Sequence, residues 1–261
     1  MYKACVIGCG QIGMGVIKEL VKVFGKDNVI GVDKTEDAYD NLTNIGVEYR
    51  TPSSMPDAEV YIITLWTMDS IIDTASKLEN KNPNLIFLES TIDPNRAIEV
   101  KFAFDKHYDK LVYFPHRYNP NDPEHGIYNQ IRVLGSDTAE TDLDAKAWLV
   151  GNGLMNANDV YIVQPDIAIM SKVVENAYRA MEIIMAQELK EFCDYGYLSF
   201  EELREACNTK WNIDIREAKD GVKGKCLPKD LAFFNKHYKE GMLFRLGEML
   251  NEQYIRNNSD K

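Results

Sequence analysis

Val6-Ile7-Gly8-Cys9-Gly10-Gln11-Ile12-Gly13 is a G-x-G-x-x-G run, placed directly after an apolar strand and at the start of a helical pattern. Glycine at 8 permits a tight turn, at 10 it leaves room for a pyrophosphate, and at 13 it lets helix and strand lie close. The helix N-terminus adds unpaired N–H groups and a partial positive charge, which suit phosphates. Asp33 stands twenty positions after Gly13, at the end of the next strand. A carboxylate there can accept from both hydroxyls of a ribose and repels a 2′-phosphate. The pattern therefore predicts a dinucleotide site that takes NAD rather than NADP, although Lys34 beside Asp33 weakens the preference. Cys9, within the turn, reads as a small apolar residue.

Outward from this run the first part of the chain alternates. Apolar β-branched stretches at 4–7, 29–32, 60–64, 85–88, 111–114, 131–134 and 160–163 are separated at several joins by helical patterns at 11–24, 68–78, 94–104 and 138–151. Such alternation predicts an α/β fold, a Rossmann-like doubly wound, mostly parallel sheet covered on both faces. After Gln164-Pro165 the character changes to all-helical, with one long helix over 166–195, a second opened by the capping box Ser199-x-x-Glu202, and more helix at 229–238 and 242–255. The expected organisation is a nucleotide-binding domain over 1–165 and a helical dimerisation and substrate domain over 166–261, the tail 256–261 fraying.

Composition narrows the function classes. The 261 residues are 45% hydrophobic and 27% charged, the balance of a soluble globular protein. A formal net charge of −11 disfavours nucleic acid and anionic membrane as partners. No apolar run approaches the length of a membrane span, and the N-terminus lacks the apolar core of a signal peptide, so a cytoplasmic protein is expected. Five cysteines without C-x-x-C spacing and four histidines without H-E-x-x-H suggest neither a disulfide framework nor a metal site.

Three later segments carry chemistry. Ser90-Thr91-Ile92-Asp93-Pro94 follows a strand, where ligand-facing loops of an open α/β sheet lie. Lys172 and Asn176 are four apart on the long helix and share a face with the apolar Ile169 and Val173. A lysine there is either an ion-pair partner or a functional amine. Gly221-Val222-Lys223-Gly224-Lys225-Cys226-Leu227-Pro228-Lys229-Asp230 sets a thiol among lysines, ahead of a helix that Pro228 can open. That setting favours a thiolate, whereas most buried cysteines are inert.

With these motifs in order, the chain resembles the UDP-glucose/GDP-mannose dehydrogenases, NAD-dependent enzymes that oxidise a sugar C6 alcohol to a carboxylate. The resemblance spans G-x-G-x-x-G, S-T-x-x-P, K-x-x-x-N and G-x-x-G-x-C-x-P-K-D, the last being the most specific. It implies Cys226 as nucleophile, Lys172 and Asn176 as the pair that stabilises the developing alkoxide, and Thr91 and Asp230 as groups that handle protons. Gly8, Gly10, Gln11, Ile12, Gly13, Asp33, Thr64 and Thr91 are the expected cofactor contacts. Two departures stand out. The family has a third, nucleotide-gripping domain that this sequence does not contain, and a glutamate where Phe114-Pro115-His116-Arg117 has His116. A histidine there can activate water in the glutamate's stead.

Three functions follow from this reading: a Cys-linked oxidation of a sugar or nucleotide-sugar, a two-electron β-hydroxyacid-type oxidation using Lys172 alone, or an NAD-binding relative without catalysis. The long helix is apolar off its main stripe at Ile167, Met170, Val174, Met181 and Met185, which predicts a homodimer built on it.

Overall fold

A computed structural model describes residues 1–119, 122 and 124–258. Along the chain run β1 (Tyr2–Ile7), α1 (Gln11–Phe24), β2 (Val29–Val32), α2 (Glu36–Asn44), β3 (Glu48–Arg50), β4 (Ala58–Ile63), α3 (Met68–Leu78), β5 (Leu85–Leu88), α4 (Ala97–Ala103) and β6 (Leu111–Tyr113). There follow β7 (Arg132–Ser136), α5 (Ala139–Gly151), β8 (Val160–Ile162), α6 (Pro165–Tyr195), α7 (Phe200–Asn208), α8 (Cys226–His237) and α9 (Leu243–Asn258). The chain separates into two compact units, Met1–Lys172 and Val173–Lys261, which part within α6.

The first unit holds one sheet of order β3-β2-β1-β4-β5-β6-β7-β8. Every pairing is parallel except β6 with β7. The central strands β1, β2, β4, β5 and β6 are apolar on both faces because both are covered. In β1, Ala4 and Val6 join a core with α1 and α5 residues such as Ile17 and Leu149. The alternate Cys5 and Ile7 join a core with Ile71, Leu78 and Val100 of α3 and α4. Parallel strands buried on two sides read as near-continuous apolar runs, which is why they stand out in the sequence.

Two elements escape that reading. In α2 only Ala38 and Leu42 are buried, too few for a visible period, and the helix is started by Thr35, whose hydroxyl accepts from Ala38 N–H. β3 is a polar edge strand with no buried residue. The 94–104 pattern resolves into a 3-10 turn, Pro94–Arg96, followed by α4, because Asp93 caps the turn by accepting from Asn95 N–H.

In the second unit, Ala177, Ala180 and Ile184 of α6 pack with Val222 and Leu231. Further along, Ala186 and Cys193 pack with Phe200 and Ala218. The capping box forms, Ser199 Oγ accepting from Glu202 N–H at 3.3 Å. α8 begins at Cys226, three residues before the expected start, so Pro228 sits inside its first turn rather than opening it. α9 continues to Asn258, so 256–258 are helical rather than frayed, and 259–261 lie outside the described residues. No described helix is long and apolar enough to cross a membrane, and all five cysteines are free.

Candidate active site

The glycine turn is built as its spacing requires. Gly8 has φ +94°, and a Cβ there would meet Thr64 O at 2.9 Å. A Cβ on Gly13 would run into the Gly8 carbonyl and Thr64 Oγ1, so α1 lies against the turn itself. Gly10, by contrast, has open space where a Cβ would stand. It is also the N-cap of α1, where no side chain caps and no acid lies in the first turn. Of the other helices of this unit, α2, α3 and α5 are each capped by a threonine, whereas α4 has no side-chain cap but carries Glu99 in its first turn. The first turn of α1 thus keeps unpaired N–H groups facing an open cradle, which fits a pyrophosphate. Gln11 is exposed beside it, whereas Ile12 turns its side chain toward the core and leaves only backbone for a ligand.

Two clefts flank this turn. One of about 370 Å³ lies over the ends of β1, β2 and β4 and is lined by Gly8, Gly10, Asp33, Thr64 and Trp66 among others. The other, about 830 Å³, runs along α1 past Gln11, Lys18, Asp33, Tyr118 and Ile127. Asp33 stands on both. Its Oδ2 accepts from Cys9 N–H at 2.6 Å, and its Oδ1 accepts from Lys34 N–H, Thr35 N–H and the Thr35 hydroxyl. The carboxylate is therefore anchored, and a ribose hydroxyl reaching it shares or replaces the Thr35 hydroxyl. Thr64 staples the turn, donating from Oγ1 to Gly8 O at 2.6 Å. Burial and Asp33 push the Cys9 thiol up to about 12, so it stays a protonated packing residue.

At the ligand edge beyond β5 and β6, Thr91 is half-buried, and among the described residues no group hydrogen-bonds its hydroxyl. Its neighbours are fixed: Ser90 Oγ donates to Ile63 O at 3.2 Å, and Asp93 holds the next turn. His116, expected as a water-activating imidazole, is buried. Its Nδ1 accepts from Tyr118 N–H at 3.3 Å, and its Nε2 lies 3.3 Å from Glu89 Oε2. Burial, Arg132 and Lys172 hold it well below the usual histidine range, so it is a neutral packed ring rather than one facing water.

In the second unit, Asn176 Nδ2 donates to Asp230 Oδ2 at 2.6 Å, joining two motifs that lie 54 residues apart. Asp230 is fully buried, and its Oδ1 accepts no hydrogen bond but lies 3.3 Å from Lys229 Nζ. Cys226 is exposed as the first residue of α8. Lys172 closes the first unit, one helical turn before Asn176 on α6.

Sequence reasoning missed Glu89, Arg132, Tyr128 and Trp66. The first three form a buried ionic cluster assembled by β-strand neighbours, which no linear spacing signals. Trp66 is an exposed aromatic on the smaller cleft, detectable only as a tryptophan just after a strand.

Residues 166–253 match the central domain of the UDP-glucose/GDP-mannose dehydrogenase family, and residues 4–54 match the TrkA-N domain. A UDP-N-acetyl-D-mannosamine dehydrogenase of Methanocaldococcus jannaschii is 25% identical, the match covering 96% of this chain and 65% of the relative. One from Campylobacter jejuni is 26% identical over 87% of this chain and 66% of its own. The chain thus spans about two thirds of these relatives. In fold it is similar to the UDP-N-acetyl-mannosamine dehydrogenase Cap5O of Staphylococcus aureus, with TM-score 0.79 and 22% identity over 98% of this chain and 69% of that one. It is also similar to a Mycobacterium tuberculosis 3-hydroxyisobutyrate dehydrogenase, with TM-score 0.72 and 18% identity over 100% and 95% of the two chains. Residues 166–253 are thus a central domain of the UDP-glucose/GDP-mannose dehydrogenase family, and the chain is similar along almost its whole length to UDP-N-acetyl-D-mannosamine dehydrogenases.

Proposed function

We propose that the protein is an NAD-dependent dehydrogenase that oxidises an alcohol of a sugar or nucleotide-sugar to an acid through a Cys226-linked intermediate. The observation that carries this is the buried Asn176–Asp230 hydrogen bond, which couples the lysine–asparagine motif of α6 to the motif that holds Cys226. Gly8, Gly10, Gly13 and Asp33 would hold the cofactor by its pyrophosphate and ribose. Bound there, NAD supplies the hydride acceptor, one molecule for each of two oxidations.

The Lys172 ammonium and the Asn176 amide stabilise the alkoxide as the substrate hydroxyl gives up its proton. Cys226 Sγ, as thiolate, bonds to the aldehyde carbon, and the carbonyl oxygen takes a proton to give a thiohemiacetal. Loss of a second hydride leaves a thioester on Cys226. Water adds to its carbonyl, the C–S bond breaks, and acid and thiolate separate. Asp230, whose Oδ1 carries no hydrogen bond, and the Thr91 hydroxyl are the groups left to hold and move these protons, because both nitrogens of His116 face protein groups.

Product analysis tests the reading. Two NADH and one carboxylate per substrate are expected. One NADH and an aldehyde or ketone would replace it with the lysine-only oxidation, and no turnover of any sugar nucleotide, sugar phosphate or hydroxyacid would leave a non-catalytic NAD-binding protein.

The protein acts as a homodimer in this reading. On α6, Val174, Tyr178, Met185 and Phe192 are exposed at spacings of four and seven, one apolar stripe along the helix. Met181, expected with them, instead packs into the interior against Gly247. Light scattering at micromolar concentration is expected to give twice the 29.8 kDa chain mass, and Tyr178→Glu with Met185→Glu to give the monomer. A wild-type monomer would refute the dimer.

A further inference from the structure

We infer that a cleft of about 380 Å³ in the second unit, lined by Arg179, Arg204 and Lys219, is an anion site that takes a phosphate-bearing small molecule. No residue of the glycine turn lines it, and neither do Asn176, Cys226 and Asp230. The site is therefore additional to the dehydrogenase machinery and does not depend on that reading.

Three parts of the unit build the cleft. α6 supplies Arg179, Glu182 and Ile183, α7 supplies Arg204, and the segment 214–219 after α7 completes the lining. That segment is neither helix nor strand, yet two asparagines hold the chain at Ile215 and Val222. Asn208 Nδ2 donates to Ile215 O at 3.1 Å, and its Oδ1 accepts from Ile215 N–H at 2.7 Å. Asn251 Oδ1 accepts from Val222 N–H at 2.7 Å, and its Nδ2 donates to Val222 O at 3.2 Å. Between these clamps Ala218 is buried with Phe200 and Cys193, while its neighbours Glu217 and Lys219 line the cleft. Lys219 has φ +44°, a left-handed conformation that disfavours any residue with a β-carbon. A lysine kept at such a position points to a use for its amine.

The chain carries a net charge of −11, yet four cations against three acids line this cleft. Arg216 is already paired: its Nη1 lies 2.8 Å from Asp214 Oδ2, and its Nη2 3.5 Å from Glu182 Oε1. Those pairs occupy two of the acids and brace the loop against α6. Among the described residues Arg179, Arg204 and Lys219 have no carboxylate partner, and Glu217 has no cation. Two guanidinium forks from different helices, with one ammonium, suit the oxygens of a phosphate, which accept in several directions where a carboxylate accepts in one plane. Ile183 and Ile215 add apolar lining for the rest of the molecule. The volume falls within the range of small-molecule sites, roughly 300–1,000 Å³.

Titration of the ¹⁵N-labelled chain with inorganic diphosphate, followed through the arginine Nε–Hε signals, tests the site. The Arg179 and Arg204 signals are expected to shift along one saturation curve, while that of exposed Arg256 stays still. Arg179→Gln and Arg204→Gln are each expected to weaken binding roughly tenfold, the loss of one charge-assisted contact. Glu217→Gln removes the like charge that faces the anion and is expected to tighten binding about threefold. A gain of affinity cannot come from misfolding, so this variant decides should an arginine variant not fold. Absence of any shift, a shift shared equally by Arg256, or variants that bind as the wild type does would overturn the proposal. At saturating NAD, diphosphate is expected to leave the KM for a sugar nucleotide unchanged. Competition that Arg204→Gln abolishes would overturn the separateness of the site and make it part of the substrate's. Absence of any NADH formation by the wild type would count against the dehydrogenase reading alone, and the titration would still decide the site.

Discussion

Cys226→Ser is expected to cut acid formation by on the order of a thousandfold or more while leaving NAD affinity and folding unchanged. The oxygen of serine is a poor thiolate substitute, and an alcohol ester is not formed from the aldehyde by the same route. The change removes one sulfur from an exposed position at the first residue of α8, so nothing in the core is disturbed. Two readouts check it: NADH yield per substrate, and NAD binding by fluorescence titration. If acid still accumulates at the wild-type rate, the second oxidation does not pass through a bond to Cys226 and the Cys-linked route is overturned. If NAD binding falls as well, Cys226 contributes to the cofactor site and not to covalent chemistry.

Gly10→Val and Gly13→Val, the same change three residues apart, are expected to fail in different ways. At Gly10 the backbone is extended, φ −70° and ψ −165°, and nothing of the protein lies within 4 Å of a Cβ. The variant should fold with wild-type stability and lose NAD affinity by at least about a hundredfold, because the added isopropyl group fills the pyrophosphate cradle. At Gly13 the new side chain collides with the Gly8 carbonyl and Thr64 Oγ1, so α1 must move off the sheet. A loss of about 3 kcal/mol or more is expected, with cofactor binding lost as a consequence. Thermal melts with and without NAD distinguish the two. A Gly10→Val protein that NAD still stabilises would place the dinucleotide elsewhere.

Most of the fold is legible in the sequence because its central strands are buried on both faces and Gly8 and Gly13 stand where no side chain fits. Gly8 and Gly13 each meet a steric demand of the fold, whereas Gly10 leaves open space beside the turn. The elements that hide are those with little to bury: α2 rests on Ala38 and Leu42, and β3 on no buried residue at all. At the candidate site, residues in linear motifs are readable, and Asn176 does meet Asp230 across 54 residues. Glu89, Tyr128 and Arg132 are not readable, because they meet only through the pairing of β6 with β7 and the loop between them. The setting of His116 follows from that cluster. A histidine in place of an acidic residue suggests a base until its ring is seen to be buried, with Nδ1 accepting from Tyr118 N–H and Nε2 turned toward Glu89 without a hydrogen bond.

The reversal at β7 decides where Lys172, the lysine proposed to stabilise the alkoxide, is delivered. Because β7 runs against β6 and β8 follows β7, the chain leaves β8 at the edge of the sheet opposite the glycine turn. α6 therefore starts at the back, with Ala168 and Ile169 laid on the core, and travels toward the front. From Pro165 to Lys172 is seven residues, or about 10 Å of helix at 1.5 Å each. That matches the roughly 10 Å length of a three-residue strand such as β6, so by Lys172 the helix has run about the length of the sheet's strands. Had the last two strands kept the common direction, the same helix would have begun at the front and carried Lys172 away from the end of the sheet that bears the glycine turn. An insertion or deletion of a single residue between Pro165 and Lys172 would rotate the amine by about 100° off that bearing, a far harsher change than any substitution of its neighbours.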